Sequence, residues 1–282
     1  MLFFQDELVS VELAPGIGIG FSVSQGWLPL VERPFLILVG LTGVGKSTVT
    51  AALSHAGLEF SLLPNRRTLT DRFIIPTIVK MDEKGGNPSC RLSRLYYTRR
   101  YKQLFPAGMV HILSQLQIDP LEIHFPLIFD GLRGENEVTY ATKMLPLAQF
   151  VFLDAPEYVR LQRLLIRNDS FDRVAKSSQA GHHSEVSQSS SFADLGVPEA
   201  TAFFSDRETA EILERVRQGV YSVSAVRDRL KIVVEERRSY DPSATRVALE
   251  KLAPDRTLVI DTTRYSPELI ARKVMQFLDP EA

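Results

Sequence analysis

The run Gly40-Leu41-Thr42-Gly43-Val44-Gly45-Lys46-Ser47 has the residue types and the spacing to hold a polyphosphate. It fits G-x-x-x-x-G-K-[ST], a pattern whose parts each have a physical task. Glycines let the backbone turn its N–H groups inward, forming an anion nest. A helix starting at the same point adds positive potential. Lys46 would place a point charge on the β- and γ-phosphates, and Ser47 would offer a hydroxyl to Mg²⁺. Thr48 follows in the same turn, so Gly40 to Thr48 make up the candidate nucleotide-binding set.

A second chemical signal is Asp130, at the end of the apolar run Leu127-Ile128-Phe129. In a parallel sheet the carboxyl ends of the strands face the ligand crevice. A carboxylate there binds Mg²⁺ through water and completes the metal shell opposite Ser47. Ser47 and Asp130 are therefore the metal candidates, and Lys46 and Asp130 catalytic candidates. Gly131 follows Asp130, where many motor and AAA-type ATPases carry a glutamate that polarises water. Its absence argues against a hydrolysis engine. No Asn-Lys-x-Asp run supports a guanine-specific GTPase.

These groups need elements to position them. Residues 35–39 (FLILV) form a continuous apolar run, as a buried parallel strand does. A helix is expected from Lys46 to about His55, with Val49, Ala52 and Leu53 on its apolar face and Gly57 as its C-cap. Strands are expected at 58–63, 126–130, 149–154 and 257–261, and helices at 134–145, 157–167 and from Ser266 onward. Residues 8–24 read as two short strands around Pro15-Gly16, and GIGIG there opens no helix. Residues 64–90 read as a polar working loop with one extended piece, Phe73 to Val79, and 91–117 as helical with a break near Pro106-Gly108.

Strands alternating with helices predict an α/β protein, a three-layer α/β/α P-loop NTPase with a parallel sheet and a helical lid-like insertion. The expected organisation is an N-terminal β extension (1–33) and a P-loop core (34–167) carrying an acceptor-side insertion (64–117). A Ser-rich loop plus helical lid-like insertion (168–252) and a C-terminal strand and helix (253–282) follow. The stretch 172–196 is Ser-rich and apolar-poor, the composition of a segment without its own core.

Composition narrows the classes. The chain has 282 residues, with Lys+Arg 33 against Asp+Glu 34, which excludes a globally basic nucleic-acid binder. Its single cysteine, Cys90, excludes an intrachain disulfide and a multi-cysteine zinc site, and suits a reducing, cytoplasmic location. No run approaches the roughly 18 apolar residues of a membrane span. No signal peptide or lipidation motif is expected, and no membrane association.

Phosphoryl transfer needs positive charge around the moving group more than covalent chemistry. Arg66, Arg67 and Arg72 follow the second core strand and are the first candidates for an acceptor. Arg99 and Arg100 (within YYTRRYKQLF) and Arg237-Arg238 are further sources. The basic, Tyr-containing stretch 91–102 also suits nucleic acid, but an amphipathic helix with solvated charges is the simpler reading, and nucleic acid is not expected as a partner. Asp71, Asp82 and Glu83 are candidate bases for a hydroxyl acceptor, whereas a phosphate acceptor needs none. His111, His124 and His182-His183 lack ligand spacing.

Three segments together resemble the nucleoside monophosphate kinases, adenylate kinase in particular: FLILVGLTGVGKST (35–48), LIFDGLRG (127–134) and QFVFLDAPEYVRLQRLLIR (149–167). The terminal VIDTTRYSPELIARKV (259–274) is similar to the last strand and helix of such kinases. The resemblance covers about half the chain. It implies that Gly40 to Ser47 hold donor phosphates, that Arg163 sits against the donor base and Arg167 reaches the phosphates as a catalytic residue, and that Arg133 binds the acceptor's phosphate. The segment 168–252 is longer than that family's lid, and 64–105 departs from its acceptor domain.

The expected function is an ATP- and Mg²⁺-dependent kinase moving the γ-phosphate to a small nucleotide or an acidic or phosphorylated metabolite, with 168–252 closing as a lid. The alternatives are an ATP-binding switch or slow ATPase, with 198–252 docking a protein partner, and a nucleic-acid-dependent ATPase using Arg99 and Arg100.

Overall fold

The protein is represented by a computed structural model, which describes residues 10–22, 25–82, 91–167 and 191–279. Glu83, Cys90, His182, His183 and most of the Ser-rich stretch lie outside the described residues.

Strands β1 (Val11–Ala14), β2 (Ile17–Ile19) and β3 (Leu28–Pro29) precede β4 (Phe35–Val39). The phosphate loop leads into α1 (Lys46–His55), and β5 (Ser61–Leu62) follows. Helices α2 (Arg66–Leu69), α3 (Ile75–Asp82), α4 (Arg91–Leu104) and α5 (Met109–Leu113) come next. Then come β6 (Gln117–Ile118), β7 (Leu127–Leu132), α6 (Glu135–Met144), β8 (Ala148–Asp154) and α7 (Glu157–Ile166). The chain ends with α8 (Asp206–Arg217), α9 (Val223–Ser239), α10 (Pro242–Leu252), β9 (Thr257–Asp261) and α11 (Pro267–Leu278).

Five strands pair in parallel in the order β5-β7-β4-β8-β9, so the strand that feeds the phosphate loop is central. Every side chain of β4 is buried, because strand alternation sends Phe35, Ile37 and Val39 to one face and Leu36 and Leu38 to the other. The first face packs on α5, α6 and α10, the second on α1 and α11, giving the predicted α/β/α layers. Among the described residues, no helix is long and apolar enough to cross a membrane.

A second, antiparallel sheet has the order β1-β2-β6-β3. The N-terminal hairpin is thus closed by Gln117-Ile118, a pairing across about a hundred residues that no local pattern announces. Leu13, Ile17, Ile19 and Ile118 join the core beneath the main sheet.

Two expectations change. The stretch Phe73–Val79 is helical: α2 runs through a π turn, Thr70–Ile74, into α3. Leu69, Ile74, Ile75 and Ile78 are buried together, a helical rather than an alternating set, and Pro76 falls where the π turn has already opened the hydrogen-bond ladder. The strand expected at 58–63 shrinks to Ser61–Leu62, an exposed edge. Within 198–252, α8 and α9 share a core with α7 through Leu161, Leu164, Leu213, Leu230 and Val233. Helix α10 instead packs on α6, with Ala248 and Leu249 in the main core.

Candidate functional site

The phosphate loop leaves β4 at the carboxyl edge of the sheet. Gly43 has φ +87°, and a Cβ there would lie 2.9 Å from the Arg160 carbonyl oxygen. Both the left-handed conformation and the close approach of α7 therefore require glycine. Gly45, at φ +107°, is the N-cap of α1, so Lys46 and Ser47 open that helix. Leu41 and Val44 bury their side chains in the core below and contribute backbone only.

The loop lies on a cleft of about 1730 Å³. Thr42, Gly43, Gly45, Lys46, Ser47 and Thr48 line it, and so do Asp130, Arg133, Arg163 and Arg167. Asn65, Arg66, Arg67, Arg99 and Lys102 line it too, and so do Lys231, Arg238 and Tyr240 from α9 and its exit. Ser47 and Asp130 face the same cavity, although among the described residues no cluster of three or more His, Cys, Asp or Glu side chains forms a metal cage.

Lys46 Nζ donates to the carbonyls of Gly40 (2.7 Å) and Leu41 (3.1 Å), its own loop's oxygens. Burial pushes its pKa down to about 7, helped by the Arg133 guanidinium and partly offset by Glu236 and Asp130. Arg163 braces the loop from α7. Its Nη1 donates to Val44 O (3.0 Å) and Thr262 Oγ1 (2.9 Å), and its Nη2 to Thr262 O (3.0 Å). The Thr262 hydroxyl itself donates to Val44 O at 2.8 Å, so the residue after β9 is tied to the loop twice.

The substrate candidates separate. Arg66 makes a forked pair with Glu137, at 2.8–2.9 Å, and donates to Gly131 O at 2.7 Å. Its fork is thus taken up in holding the last residues of β7, although its side chain still lines the cleft. Arg67 lies 3.7 Å from Asp71 and half exposed on the wall. Arg72 does not line the cleft; it donates to Leu13 O of the first hairpin at 3.1 Å, because the helical turn that replaces the extended piece swings it the other way. Arg133 reaches the loop side, donating Nη1 to Glu236 at 2.7 Å. Arg237 pairs with Glu157 at 3.0 Å away from the cleft, whereas Arg238 lines it beside Glu199.

The candidate bases are engaged elsewhere. Asp71 is held by the fork of Arg94 (2.6 and 3.1 Å) and Asp82 by that of Arg100 (3.2 and 3.1 Å), both outside the cleft. His111 lies 2.8 Å from the Tyr101 hydroxyl, and His124 is exposed 3.9 Å from Glu59.

Three cleft-side groups escaped the sequence reading. Glu236 and Arg160 form a buried pair at 2.6 Å against Thr42, and Thr262 clamps the loop. Arg160 was within reach of pattern alone, since it precedes Arg163 and Arg167 at helical spacing. Glu236 arrives from a helix almost two hundred residues away, and no local signal marks it.

A buried strand, a glycine loop and a helix carrying Lys-Ser at its start, on a parallel sheet whose neighbouring strand carries Asp130 and runs two residues beyond the expected end, define a P-loop NTPase fold. A family model described as an AAA domain (AAA_18) matches residues 36–182, and the chain belongs to this P-loop NTPase-like family, which includes kinases. Solved structures similar to it include an unliganded sugar kinase from Janibacter sp. HTCC2649 (18% identity, 88% of this chain and 95% of that chain, TM-score 0.32). Another is TT1252 from Thermus thermophilus (17% identity, 89% and 99%, TM-score 0.45). No curated protein matches the chain.

Proposed function

We propose that the protein is a P-loop phosphotransferase that moves the γ-phosphate of ATP to a small nucleotide or an acidic or phosphorylated metabolite. The carrying observation is the cleft itself. Pockets for one drug-sized ligand run to roughly 300–1,000 Å³, and this one, at about 1730 Å³, has room for a donor and an acceptor. Its lining is rich in cations, with Lys46 and Arg133 and also Arg67, Arg99 and Lys102.

Gly131 favours transfer over hydrolysis. A Cβ at that position would run into the Phe129 ring and lie 2.8 Å from Arg66 Cγ, so the water-polarising glutamate of many ATPases has no space here. Ser47 and Asp130 suit Mg²⁺, which takes few protein oxygens and keeps waters and phosphate oxygens as its other ligands. When bound, that ion would draw charge from the β- and γ-phosphates. The remaining work falls to the chain. Lys46 exchanges the Gly40 and Leu41 carbonyls for phosphate oxygens. Arg163 and Thr262 keep the loop open-handed by holding Val44 O. Arg66 keeps the wall in shape through Glu137. The resemblance to nucleoside monophosphate kinases supplies the finer reading for Arg167, toward the donor phosphates; it puts Arg133 on the acceptor's phosphate, whereas the tie to Glu236 keeps that side chain beside the loop.

Labelled ATP offered to a panel of small acceptors tests this. The expected result is label on one acceptor class, and unchanged, acceptor-independent hydrolysis counts against it. The link between Thr42 and Glu236 of α9 favours one other reading, a nucleotide-sensing switch, for which the same panel would show ATP bound and no acceptor labelled.

Nucleotide binding should also move a proton. With its pKa near 7, Lys46 is mostly neutral in the free protein around pH 8, and a triphosphate tail favours the ammonium. Calorimetry near pH 8 in buffers of different ionisation enthalpy should report uptake approaching one proton, absent in Lys46→Met.

A further inference from the structure

Glu236 is 6% exposed, and its carboxylate is shared among three partners. Oε1 accepts the Thr42 hydroxyl at 2.5 Å and Arg133 Nη1 at 2.7 Å. Oε2 accepts the Thr42 N–H at 2.9 Å and Arg160 Nη2 at 2.6 Å. Each oxygen thus joins one donor of the phosphate loop to one guanidinium. Arg160 completes the frame by donating Nε to Thr42 O at 2.9 Å.

The two arginines differ in their access to the cleft. Arg160 is buried in the frame, and its Nη1 has no partner among the described residues. Arg133 lines the cleft, about a third exposed, and its Nε is buried with no partner among the described residues. Of the two, Arg133 is the one that an anion in the cleft can reach. Arg133 also stands close enough to Lys46 to help lower its pKa. Left to itself, an arginine this near an ammonium would be pushed outward. The carboxylate holds it in.

Glu236 is not placed to act as a base. Burial would push its pKa up, but Arg133 and Arg160 outweigh that and hold the carboxyl below its ordinary range, and its lone pairs are occupied. We propose that Glu236 is a positioning residue for phosphoryl transfer, clamping the Arg133 guanidinium to Thr42 so that a fixed cation stands where the terminal phosphoryl group meets the loop. This deepens the kinase reading and rests on it.

A double-mutant cycle on the full chain separates this role from a structural one. Affinities for MgATP and MgADP are measured by calorimetry on wild type, E236Q, R133M, the R133M/E236Q double variant and E236D, with melting temperatures alongside. The expected result is a preference for ATP over ADP that falls about tenfold in R133M and similarly in E236Q, about the loss of one charge-assisted contact. The double variant should lose no more than R133M, and E236D should recover part of the loss. Losses that add in the double variant, or ATP and ADP affinities that fall by the same factor, overturn the proposal. If E236Q does not fold, an unchanged ATP preference in R133M overturns it alone. A wild type that binds neither nucleotide sinks the kinase reading as well, whereas one that binds both normally with R133M unaffected sinks only the role of Glu236.

Discussion

Lys46→Ala should cripple phosphoryl transfer, with kcat lower by on the order of 10²–10³, the range found when one preorganised charge-stabilising donor is removed. The folded protein should survive the change. Among the described residues the ammonium has the carbonyls of Gly40 and Leu41 as its hydrogen-bond partners, and loss of solvent around it has already lowered its pKa to about 7. In the unfolded chain the same group titrates near 10.5. The protonated lysine therefore costs stability fully below about pH 7, and that cost fades as pH rises toward 10.5. Melting temperature near neutral pH should be unchanged or raised in Lys46→Ala and in the better-filling Lys46→Met, while turnover falls in both. A variant with full activity, or one that loses activity only in proportion to lost folded protein, would remove Lys46 from the chemistry.

Glu137→Ala should destabilise the protein by about 3–5 kcal/mol, the cost of leaving a buried charge without its partner. Glu137 is 1% exposed, and it takes the Arg66 fork, the Arg133 N–H at 3.1 Å and, at 3.9 Å, Lys102. Burial would raise its pKa, but Arg66 and then Lys102 prevail and hold it below the ordinary glutamate range. With the folded value depressed, the pair's contribution is present above the unfolded pKa and is lost as pH falls through the folded one. Denaturant unfolding at neutral pH should show the full difference between wild type and Glu137→Ala, and the gap should narrow in acid. A difference under about 1 kcal/mol at neutral pH, the size of an exposed pair, would contradict this account.

What could be read in advance follows the range of the forces involved. FLILV, the glycine loop, Asp130 and the helix after Asp154 were legible because each is written within a dozen residues. Arg66 was legible as a cation but not as half of a buried pair, since Glu137 lies seventy-one positions on. Arg72 was misplaced with the extended piece around it, where burial of Ile74, Ile75 and Ile78 decided for helix. The closure of the N-terminal hairpin by β6 and the arrival of Glu236 at Thr42 depend on tertiary placement, which periodicity does not encode.

The tie from Thr262 to the loop carries a consequence for biosynthesis. A ribosome completes residues 40–47 early, yet Arg163 emerges more than a hundred residues later and Thr262 nearly another hundred after that. Until that threonine leaves the exit tunnel, the nascent chain has neither the edge strand nor the second tether on Val44. The motif is thus made first, and the residues that tether Val44 are made more than a hundred residues later.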